Sequence, residues 1–326
     1  MFCIHNTITD PYFNLAAEEY LLKNEDREYF LLWRNPPSVI IGRNQNARAE
    51  INEEYIRDYE IPVVRRLSGG GAVFHDLGNI NFTLISRNRT SSSLDFEHFA
   101  RPVLRALNEM GVPAEFDGRN DLAIKGQKIS GNAQHIWKDN ILHHGTLLFD
   151  SNVDDLSKAL RPDELKFRDK AVKSVRRRVT NIKPHLPTPM TAEEFISRLL
   201  KTVGEVNEKS RTAELSGEQE KAIYTLREEK YSTWEWNFGT TPPYTHCQKI
   251  RTSGGTVELV LNVRRGIIQK ALFYGDFFGK RDISELSSRL QGVRHNKEEV
   301  SAVLESIDID QYLWGISSAD ILDLIS

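Results

Sequence analysis

The first third of the chain alternates between short apolar runs and longer segments in which apolar residues recur every three or four positions. The segment that begins at Asp10 is of the second kind, because an Asp followed by Pro11 is typical of a helix start. The apolar stripe of this segment consists of Phe13, Ala17, Tyr20 and Leu21. This spacing predicts an amphipathic helix capped by Asp10.

Short apolar runs bounded by Gly, Pro, Asn or Asp predict seven strands within the first 150 residues. These runs read REYFLLW, SVIIGRN, IPVVRRL, INFTLIS, DLAIK, KISGNAQHIW and ILHHGTLLF. Tight turns are predicted at Gly126-Gln127 and at residues 138–140, and further helices at residues 52–59 and 93–111. We therefore expect an α+β fold with a mixed, mostly antiparallel sheet flanked by helices.

The second half of the chain is less regular. It predicts a short helix at DDLSKALRP, a basic loop over residues 166–183, a helix from Thr191 and a polar surface connection at EKSRTAELSGEQEK. The segment TTPPYTH is the best candidate for a linker, and two strands around Arg265-Gly266 and two helical segments follow it. We expect two domains, residues 1–240 and a small α/β C-terminal accessory domain at residues 247–326.

Composition narrows the class of protein. The 326 residues are 39% hydrophobic and 27% charged, as in an ordinary globular protein. No apolar run has the length of a membrane span and the first residues lack a signal-peptide pattern, so a cytoplasmic location without membrane contact is expected. Cys3 and Cys247 are the two cysteines, which predicts neither a disulfide framework nor a zinc cluster. The net charge of −3 predicts no general affinity for nucleic acid.

The motif RRLSGGGAVFHDLGN, residues 65–79, carries the first candidate chemistry. Three consecutive glycines after a strand leave backbone N–H groups open to a phosphate or an oxyanion. The motif is neither a Walker A loop nor a Rossmann fingerprint. Because adjacent strand residues face opposite sides, only one of Arg65 and Arg66 is expected to face a ligand. A glycine-rich hairpin without chemical importance is the alternative.

Two further basic motifs stand out. In KGQKISGNA, Lys125 and Lys128 flank a two-residue turn, and the small residues Ser130, Gly131 and Ala133 leave volume for a ligand. Spacing alone does not distinguish the two lysines, and a solvated surface charge is the more ordinary alternative for each of them. The basic stretch at residues 166–183 is a solvated face, a loop that folds over a nucleotide, or a docking patch for an acidic partner.

These motifs resemble those of the lipoate–protein ligase A family in their order along the chain and closely in their amino-acid sequence. The resemblance covers RRLSGGGAVFHDLGN, GRNDLAIKGQKISGNA, HHGTLLF, SVRRRVTN and WEWNFG. It implies the biotin/lipoate ligase fold, a catalytic domain followed by an accessory domain. The implied reaction converts lipoate and ATP to lipoyl-AMP and pyrophosphate and then transfers the lipoyl group to a lysine of an apo lipoyl domain. The implied acceptors are E2 subunits of 2-oxoacid dehydrogenases and the glycine cleavage H protein.

The resemblance also implies roles for individual residues. Lys128 matches the essential lysine that contacts both the acyl oxygen and the α-phosphate, and Asp121 is a candidate ligand for the Mg²⁺ that accompanies ATP. ATP binding is implied for Arg66, Gly71, Ala72, Val73, Phe74 and Lys128. Lipoate binding is implied for Lys128, Arg65, Ser68, Gly70, His75 and Ala133. An adenylate-closing loop is implied at Lys173, Ser174, Val175, Arg176, Arg177, Arg178, Val179 and Thr180.

Several other functions are compatible with parts of the sequence. A lipoyltransferase would perform only the second step, and an octanoyltransferase would need a cysteine relay, although no cysteine lies near the core motifs. A biotin ligase is disfavoured because the related glycine loop of that family differs in sequence from RRLSGGGAVFHD. A lipoyl-AMP sensor and a nucleic-acid module that uses residues 166–183 are the non-catalytic alternatives.

Overall fold

Strands provide the framework of the protein. The computed structural model describes residues 1–45, 47–87, 94–118, 120–160, 179–205, 210–238, 246–264, 267–295 and 297–325. The strands in these ranges are β1 (Phe2–His5), β2 (Tyr29–Trp33), β3 (Ser38–Ile41), β4 (Val63–Arg65), β5 (Val73–His75), β6 (Asn79–Ser86), β7 (Glu115–Asp117), β8 (Asp121–Ile124), β9 (Gln127–Trp137), β10 (Asn140–Leu148), β11 (Arg211–Thr212), β12 (His246–Thr252), β13 (Gly255–Arg264) and β14 (Ile267–Gly275).

Two helix boundaries coincide with capping residues that the sequence predicts. Asp10 accepts hydrogen bonds from the backbone N–H groups of Tyr12 and Phe13, and Gly111 follows the end of another helix with φ of 82°. The helices are α1 (Pro11–Asn24), α2 (Ala47–Glu50), α3 (Glu53–Asp58), α4 (Phe96–Glu109), α5 (Val153–Ala159), α6 (Ala192–Glu205), α7 (Gly217–Leu226), α8 (Trp234–Asn237), α9 (Ile283–Leu290), α10 (Lys297–Glu305) and α11 (Ser318–Asp323). Within the described ranges, no helix combines the length and the apolar character needed to cross a membrane.

Eight strands form the main sheet, in the order β11-β1-β2-β6-β10-β9-β8-β7. The pairs that β1 makes with β11 and β2 are parallel, and the other five pairs are antiparallel. The expected mixed, mostly antiparallel sheet is therefore confirmed. Helices α4 and α6 pack on one face through Val103 and Phe195, and α1 and α7 pack on the other through Phe13 and Ile223.

A smaller sheet of three strands, in the order β4-β3-β5, carries the glycine motif. The sequence predicts one strand on each side of the glycine run, namely β4 and β6. The structure corrects this, because β5 forms a third strand between the glycines and β6 and pairs with β3 instead of joining the main sheet. With only three residues, β5 is too short to show an alternating pattern. The glycine run is thus the β4–β5 loop.

Residues 246–325, here called the C-terminal unit, have their own core. Strands β12, β13 and β14 form an antiparallel sheet in that order. Leu259 and Leu261 of the sheet pack against Leu286 of α9 and Leu304 of α10. The predicted linker at residues 240–246 lies outside the described residues except for His246, and so does the predicted turn at residues 265–266.

Two predictions for the second half of the chain are wrong. The segment EKSRTAELSGEQEK is not merely a surface connection, because it contains β11 and the start of α7. Strand β11 has two exposed residues and forms through backbone pairing with β1, so its side chains carry no strand pattern. Within the part of the C-terminal unit that the structure describes, three α-helices replace the two predicted closing helical segments, and the third, α11, is only six residues long.

Candidate active site

A cavity of about 340 Å³ lies where the β4–β5 loop, the main sheet and the C-terminal unit meet. The lining residues that precede the C-terminal unit in the chain are Leu15, Trp33, Ile40, Arg66, Gly70, Gly71, Ala72, Val73, His75, Asn81, Asn120, Asp121, Lys128, Gly131, Asn132, Ala133, His144, Gly145 and Thr146. Arg251, Asp276 and Phe278 of the C-terminal unit complete the wall. The lining therefore combines apolar and aromatic side chains with cations and glycine backbone.

The glycines of the β4–β5 loop are required by close approach on two sides. Gly70 has φ of 91° and lines the cavity. Gly69 touches the C-terminal unit so closely that a Cβ atom would lie 2.2 Å from the carbonyl oxygen of Phe277. The N–H of Gly70 donates to that same oxygen at 3.2 Å. The loop is consequently shaped both by the cavity and by its contact with the C-terminal unit.

Arg66 supports the loop from inside. Its Nη2 donates to the carbonyl oxygens of Gly69 and Gly71 at 2.7 and 2.8 Å, and its Nε donates to Ser68 Oγ at 3.0 Å. Burial is the main cause that lowers the pKa of Arg66 to about 10, so the side chain remains charged at neutral pH. Arg66 thus brings a fixed positive charge to the cavity while it holds the glycine loop in shape.

Arg65 lies outside the cavity lining, although it was predicted to bind lipoate. Its guanidinium donates to the carbonyl oxygens of Gly42, Gln45, Trp236 and Asn237 at 2.7 to 3.0 Å. The indole N–H of Trp236 donates in return to the carbonyl oxygen of Arg65. The structure therefore gives Arg65 the role of joining β4 to α8, and it explains why the two arginines differ.

A buried hydrogen-bond chain runs behind the cavity wall. Ser68 Oγ lies 2.6 Å from His144 Nε2, and His144 Nδ1 lies 2.9 Å from both carboxylate oxygens of Glu18. Thr83 donates to the same carboxylate at 2.6 Å and accepts from the indole N–H of Trp33 at 2.9 Å. Together with the Arg66–Ser68 bond, the chain connects the glycine loop to Trp33, which lines the cavity. Ser68 itself does not line the cavity.

His75 lines the cavity as a neutral side chain. Burial, with smaller contributions from the charge of Arg66 and from His144, lowers the pKa of His75 to about 3. The side-chain N–H of Asn35 donates to Nδ1 at 3.1 Å, because the oxygen of Asn35 already accepts from Asn14. The proton of His75 therefore resides on Nε2, which makes that nitrogen a hydrogen-bond donor.

The structure distinguishes the two candidate lysines. Lys128 lies on β9 and lines the cavity, and its Nζ is 2.8 Å from Asp121 Oδ1. Lys125 is exposed and outside the lining. The predicted turn is one residue earlier than expected, since Lys125 and Gly126 both have positive φ and Gln127 already belongs to β9. A Cβ atom on Gly131 would lie 3.0 Å from Lys128 Nζ, so the small residue leaves room for the lysine.

The remaining predicted residues divide into three groups. Gly70, Gly71, Ala72, Val73, His75, Ala133 and Asp121 line the cavity. Phe74 faces away from it and packs with Val39, Val63 and Ala159. Of the predicted closing loop, residues 173–178 lie outside the described residues, whereas the N–H of Thr180 donates to the carbonyl oxygen of Lys128 at 3.0 Å. The end of that segment is thus attached to the cavity wall.

Sequence reasoning missed several lining residues, among them Trp33, Asn81, Thr146, Arg251 and Phe278. Trp33, Asn81 and Thr146 lie on β2, β6 and β10, which are neighbours only in the folded sheet. His144 and Gly145 belong to the quoted motif HHGTLLF, which was the one available signal on β10. Nothing in the sequence indicates that the C-terminal unit reaches the cavity.

Comparison with known proteins gives consistent matches. Residues 10–204 match the family model described as lipoyl protein ligase A/B catalytic domain, and residues 241–325 match the bacterial lipoate protein ligase C-terminus. The chain is 42% identical to the lipoate-protein ligase LplJ of Bacillus subtilis, with 100% of this chain and 99% of the relative aligned. It is 41% identical to lipoate–protein ligase 1 of Staphylococcus aureus, with the same coverage.

Solved structures are similar as well. P. falciparum LipL1 in complex with lipoate superposes with a TM-score of 0.79 at 26% identity, covering 99% of this chain and 97% of that one. A bipartite lipoate protein ligase from Thermoplasma acidophilum, studied with its E2 lipoyl domain, gives 0.65 at 30% identity and covers 75% of this chain and 98% of its own. A lipoate-protein ligase A bound with ATP gives 0.62 at 26% identity, with 73% and 98% covered.

Proposed function

The chain belongs to the lipoyl protein ligase A/B family, and from this premise we propose that it is an ATP-dependent lipoate–protein ligase. It activates lipoate to lipoyl-AMP and transfers the lipoyl group to a lysine of an apo lipoyl domain. One observation carries the proposal: Lys128, Arg66 and the glycine loop share a single cavity with the apolar wall of Leu15 and Trp33. Such a cavity suits a molecule with an aliphatic body and a reacting carboxylate.

In the first step a carboxylate oxygen of lipoate attacks the α-phosphorus of ATP, and pyrophosphate leaves with the electrons of the broken P–O bond. The reacting groups are both anionic, so positive charge and N–H donors must offset their repulsion. We propose that Lys128 contacts the carboxylate and the α-phosphate as a point charge. Gly71 would present its backbone to the phosphate, and His75 would donate from Nε2.

Mg²⁺ is part of this proposal as the ion that accompanies ATP. Mg²⁺ sites commonly use one or two carboxylates and the oxygens of substrate phosphates. Asp121 offers one carboxylate in the cavity wall, now paired with Lys128, and this donor fits such a site. The described residues contain no cluster of three His, Cys, Asp or Glu side chains for a resident metal. Asp121 would therefore hold the ion together with the nucleotide, and the ion would neutralise phosphate charge.

The second step needs a neutral acceptor lysine. With a reference pKa near 10.4, deprotonation at pH 7 costs about 4.6 kcal/mol. We propose that Lys128 and Arg66 lower this cost by placing positive charge beside the entering amine. The acceptor class is an apo lipoyl domain; E2 subunits of 2-oxoacid dehydrogenases and the glycine cleavage H protein are the acceptors we propose. The cytoplasmic location stays a prediction.

The decisive experiment incubates an apo lipoyl domain with lipoate and the protein, with and without ATP, and measures the mass of the domain. The expected result is a lipoyl adduct that requires ATP. An adduct that forms only from supplied lipoyl-AMP, without lipoate-dependent ATP–pyrophosphate exchange, would identify a lipoyltransferase instead. Neither Cys3, buried in β1, nor Cys247, exposed on β12, lines the cavity, which disfavours a cysteine relay.

Two lysine variants test the proposed chemistry. Lys128→Ala removes the cavity charge and is expected to lower lipoyl-AMP formation by at least about 100-fold, the scale of one lost electrostatic donor. Lys125→Ala is the matched control, because it removes the same type of side chain from the exposed turn on the same hairpin. Initial rates of pyrophosphate release measure both. Equal losses from the two variants would contradict the assignment of Lys128.

A further inference from the structure

We infer that Arg251 of the C-terminal unit is a further catalytic residue of the first step, that its guanidinium contacts phosphate oxygens of ATP, and that Asp276 positions it. The inference rests on the proposed function and extends it to a part of the chain outside the sequence motifs. Both residues line the same cavity as Lys128 and the glycine loop. They are the charged contribution of the C-terminal unit to that cavity.

The guanidinium of Arg251 is held by one of its nitrogens. Nη1 donates to the two carboxylate oxygens of Asp276 at 3.0 and 3.2 Å and to Thr256 Oγ1 at 2.7 Å. Asp276 is only 8% exposed and also accepts from the backbone N–H of Thr256. Nε and Nη2 of Arg251 have no hydrogen-bond partner among the described residues, and 40% of the side chain is exposed. The guanidinium group is thus held in place through Nη1, while Nε and Nη2 can donate to a ligand.

The backbone on both sides of Asp276 is tied to the catalytic domain. The N–H of Gly275 donates to the carbonyl oxygen of Asn44 at 2.7 Å, and the carbonyl oxygen of Phe277 accepts from Gly70. Asp276 therefore lies between two residues that are bonded to the catalytic domain. These bonds fix the position of the Arg251–Asp276 pair relative to the glycine loop.

The other cations of the cavity have fewer donors to offer. Arg66 uses Nε, Nη1 and Nη2 in bonds to Ser68 Oγ and to backbone carbonyl oxygens. Lys128 is a single ammonium group, paired with Asp121. A triphosphate carries several negative charges, and planar guanidinium is the side chain that matches two phosphate oxygens at once. Of the cavity cations in the described residues, Arg251 alone keeps two guanidinium nitrogens open.

The chemistry of the first step requires such a group. As the bond from the carboxylate oxygen to the α-phosphorus forms, the bond from that phosphorus to the bridging oxygen breaks, and its electron pair leaves with pyrophosphate. Negative charge on the leaving group increases, so a fixed guanidinium stabilises the transition state more than bound ATP. In the second step pyrophosphate is already gone. Arg251 is therefore expected to serve the first step and not the second.

The test compares Arg251→Gln with Lys249→Gln, which removes an exposed cation two residues earlier on the same side of β12. Lipoyl-AMP formation from ATP and lipoate, and transfer from supplied lipoyl-AMP to an apo lipoyl domain, are measured separately. Arg251→Gln should lower kcat/KM for ATP in the first reaction by about 100-fold and leave transfer within about twofold of the unaltered protein. Lys249→Gln should change neither reaction.

Two further variants keep the test independent of folding. Arg251→Lys retains the charge without the planar fork and should restore part of the lost rate, to within about tenfold of the unaltered protein. Asp276→Asn retains the shape of the positioning residue. It should raise KM for ATP in lipoyl-AMP formation by a larger factor than it lowers the rate of lipoyl transfer. Melting temperatures of all variants identify any that are unfolded.

Three results would overturn the inference. Lipoyl-AMP formation by Arg251→Gln within about threefold of the unaltered protein would show that the fork is not needed. Equal losses in both reactions would indicate a purely structural ion pair. If the unaltered protein forms no lipoyl-AMP, the proposed function and this inference fail together, whereas an active unaltered protein with an equally active Arg251→Gln variant refutes this inference alone.

Discussion

Arg65 and Arg66 are neighbours of the same type, yet their partners differ completely. Arg66 donates to carbonyl oxygens of the glycine loop and adds charge to the cavity. The guanidinium of Arg65 instead donates to carbonyl oxygens of the loop after β3 and of α8. The sequence predicts that only one of them faces a ligand, because alternate strand residues face opposite sides. Which one it is depends on the surroundings of β4, and these become known only from the fold.

His75 makes the stability of the protein depend on pH. Its pKa is about 3 in the folded protein and near 6.5 when unfolded, so between these values the unfolded chain binds a proton that the folded chain does not. Stability is therefore expected to fall as pH decreases below about 6.5. Between about pH 6 and pH 5 the contribution of His75 is about 1 kcal/mol. Urea unfolding at the two pH values measures it.

The variant His75→Gln isolates this contribution, since it keeps a polar side chain but removes the titrating group. The loss of stability between the two pH values should be smaller in the variant by about 1 kcal/mol. Other titrating groups act equally on both proteins and cancel in the difference. If both proteins lose the same stability over this interval, His75 is not the buried neutral group that the structure describes.

At the scale of elements, local signals predict the fold where they are strong. Asp10 and Pro11 begin α1 as expected, and the hairpin of β9 and β10 follows from its apolar runs. Five strands are not predicted from the sequence. Strands β5, β7 and β11 have only two or three residues and β1 has four, so they show no clear periodicity. The seven residues of β12 are mostly polar, and this strand depends on its pairing with β13. The strand order, which brings β2, β6 and β10 together, is likewise a property of the whole sheet.

Local motifs also predict part of the candidate site. Lys128, Gly71 and His75 lie in the glycine-rich and lysine-containing motifs, and all three line one cavity in the structure. Trp33 could not be identified because a tryptophan in an apolar strand is equally consistent with an ordinary core residue. Arg251 could not be identified either, since its position near the cavity depends on how the C-terminal unit contacts the glycine loop.

The glycine loop as an element has a testable requirement for small residues. Gly69→Ala would place a Cβ atom 2.2 Å from a backbone oxygen of Phe277, which cannot be relieved by a side-chain rotation. The C-terminal unit must then shift away from the loop. We expect faster amide hydrogen exchange at Gly70 and Gly275, whose N–H groups bond across this contact, measured by mass spectrometry of the corresponding peptides.

Gly217→Ala is the control for this variant, because nothing lies within 4 Å of a Cβ atom at this first position of α7. Exchange at Gly70 and Gly275 should be unchanged in the control. Unchanged exchange in Gly69→Ala as well would mean that the loop and the C-terminal unit are not in the contact described.

At the scale of the whole molecule, side chains add two kinds of contact to the backbone hydrogen bonds of Gly70 and Gly275 that join the C-terminal unit to the catalytic domain. One is an ion pair between Arg43 and Asp282, whose side chains are 31% and 41% exposed. The other is apolar: Phe278 is 1% exposed and packs with Leu94, Phe96 and Ala133 of the catalytic domain. Because water screens exposed charges, the apolar contact is expected to dominate the stability of the arrangement.

This ranking can be measured with two single variants. Phe278→Ala should lower the free energy of unfolding by about 3 to 5 kcal/mol, since it empties a packed site beside the ring of Phe96, whose centroid is 5.0 Å away. Asp282→Asn should cost no more than about 1 kcal/mol, and that cost should vanish at high salt. Urea unfolding at low and high salt tests both expectations. A larger loss from Asp282→Asn would mean that charge, and not the buried ring, holds the C-terminal unit at the mouth of the cavity.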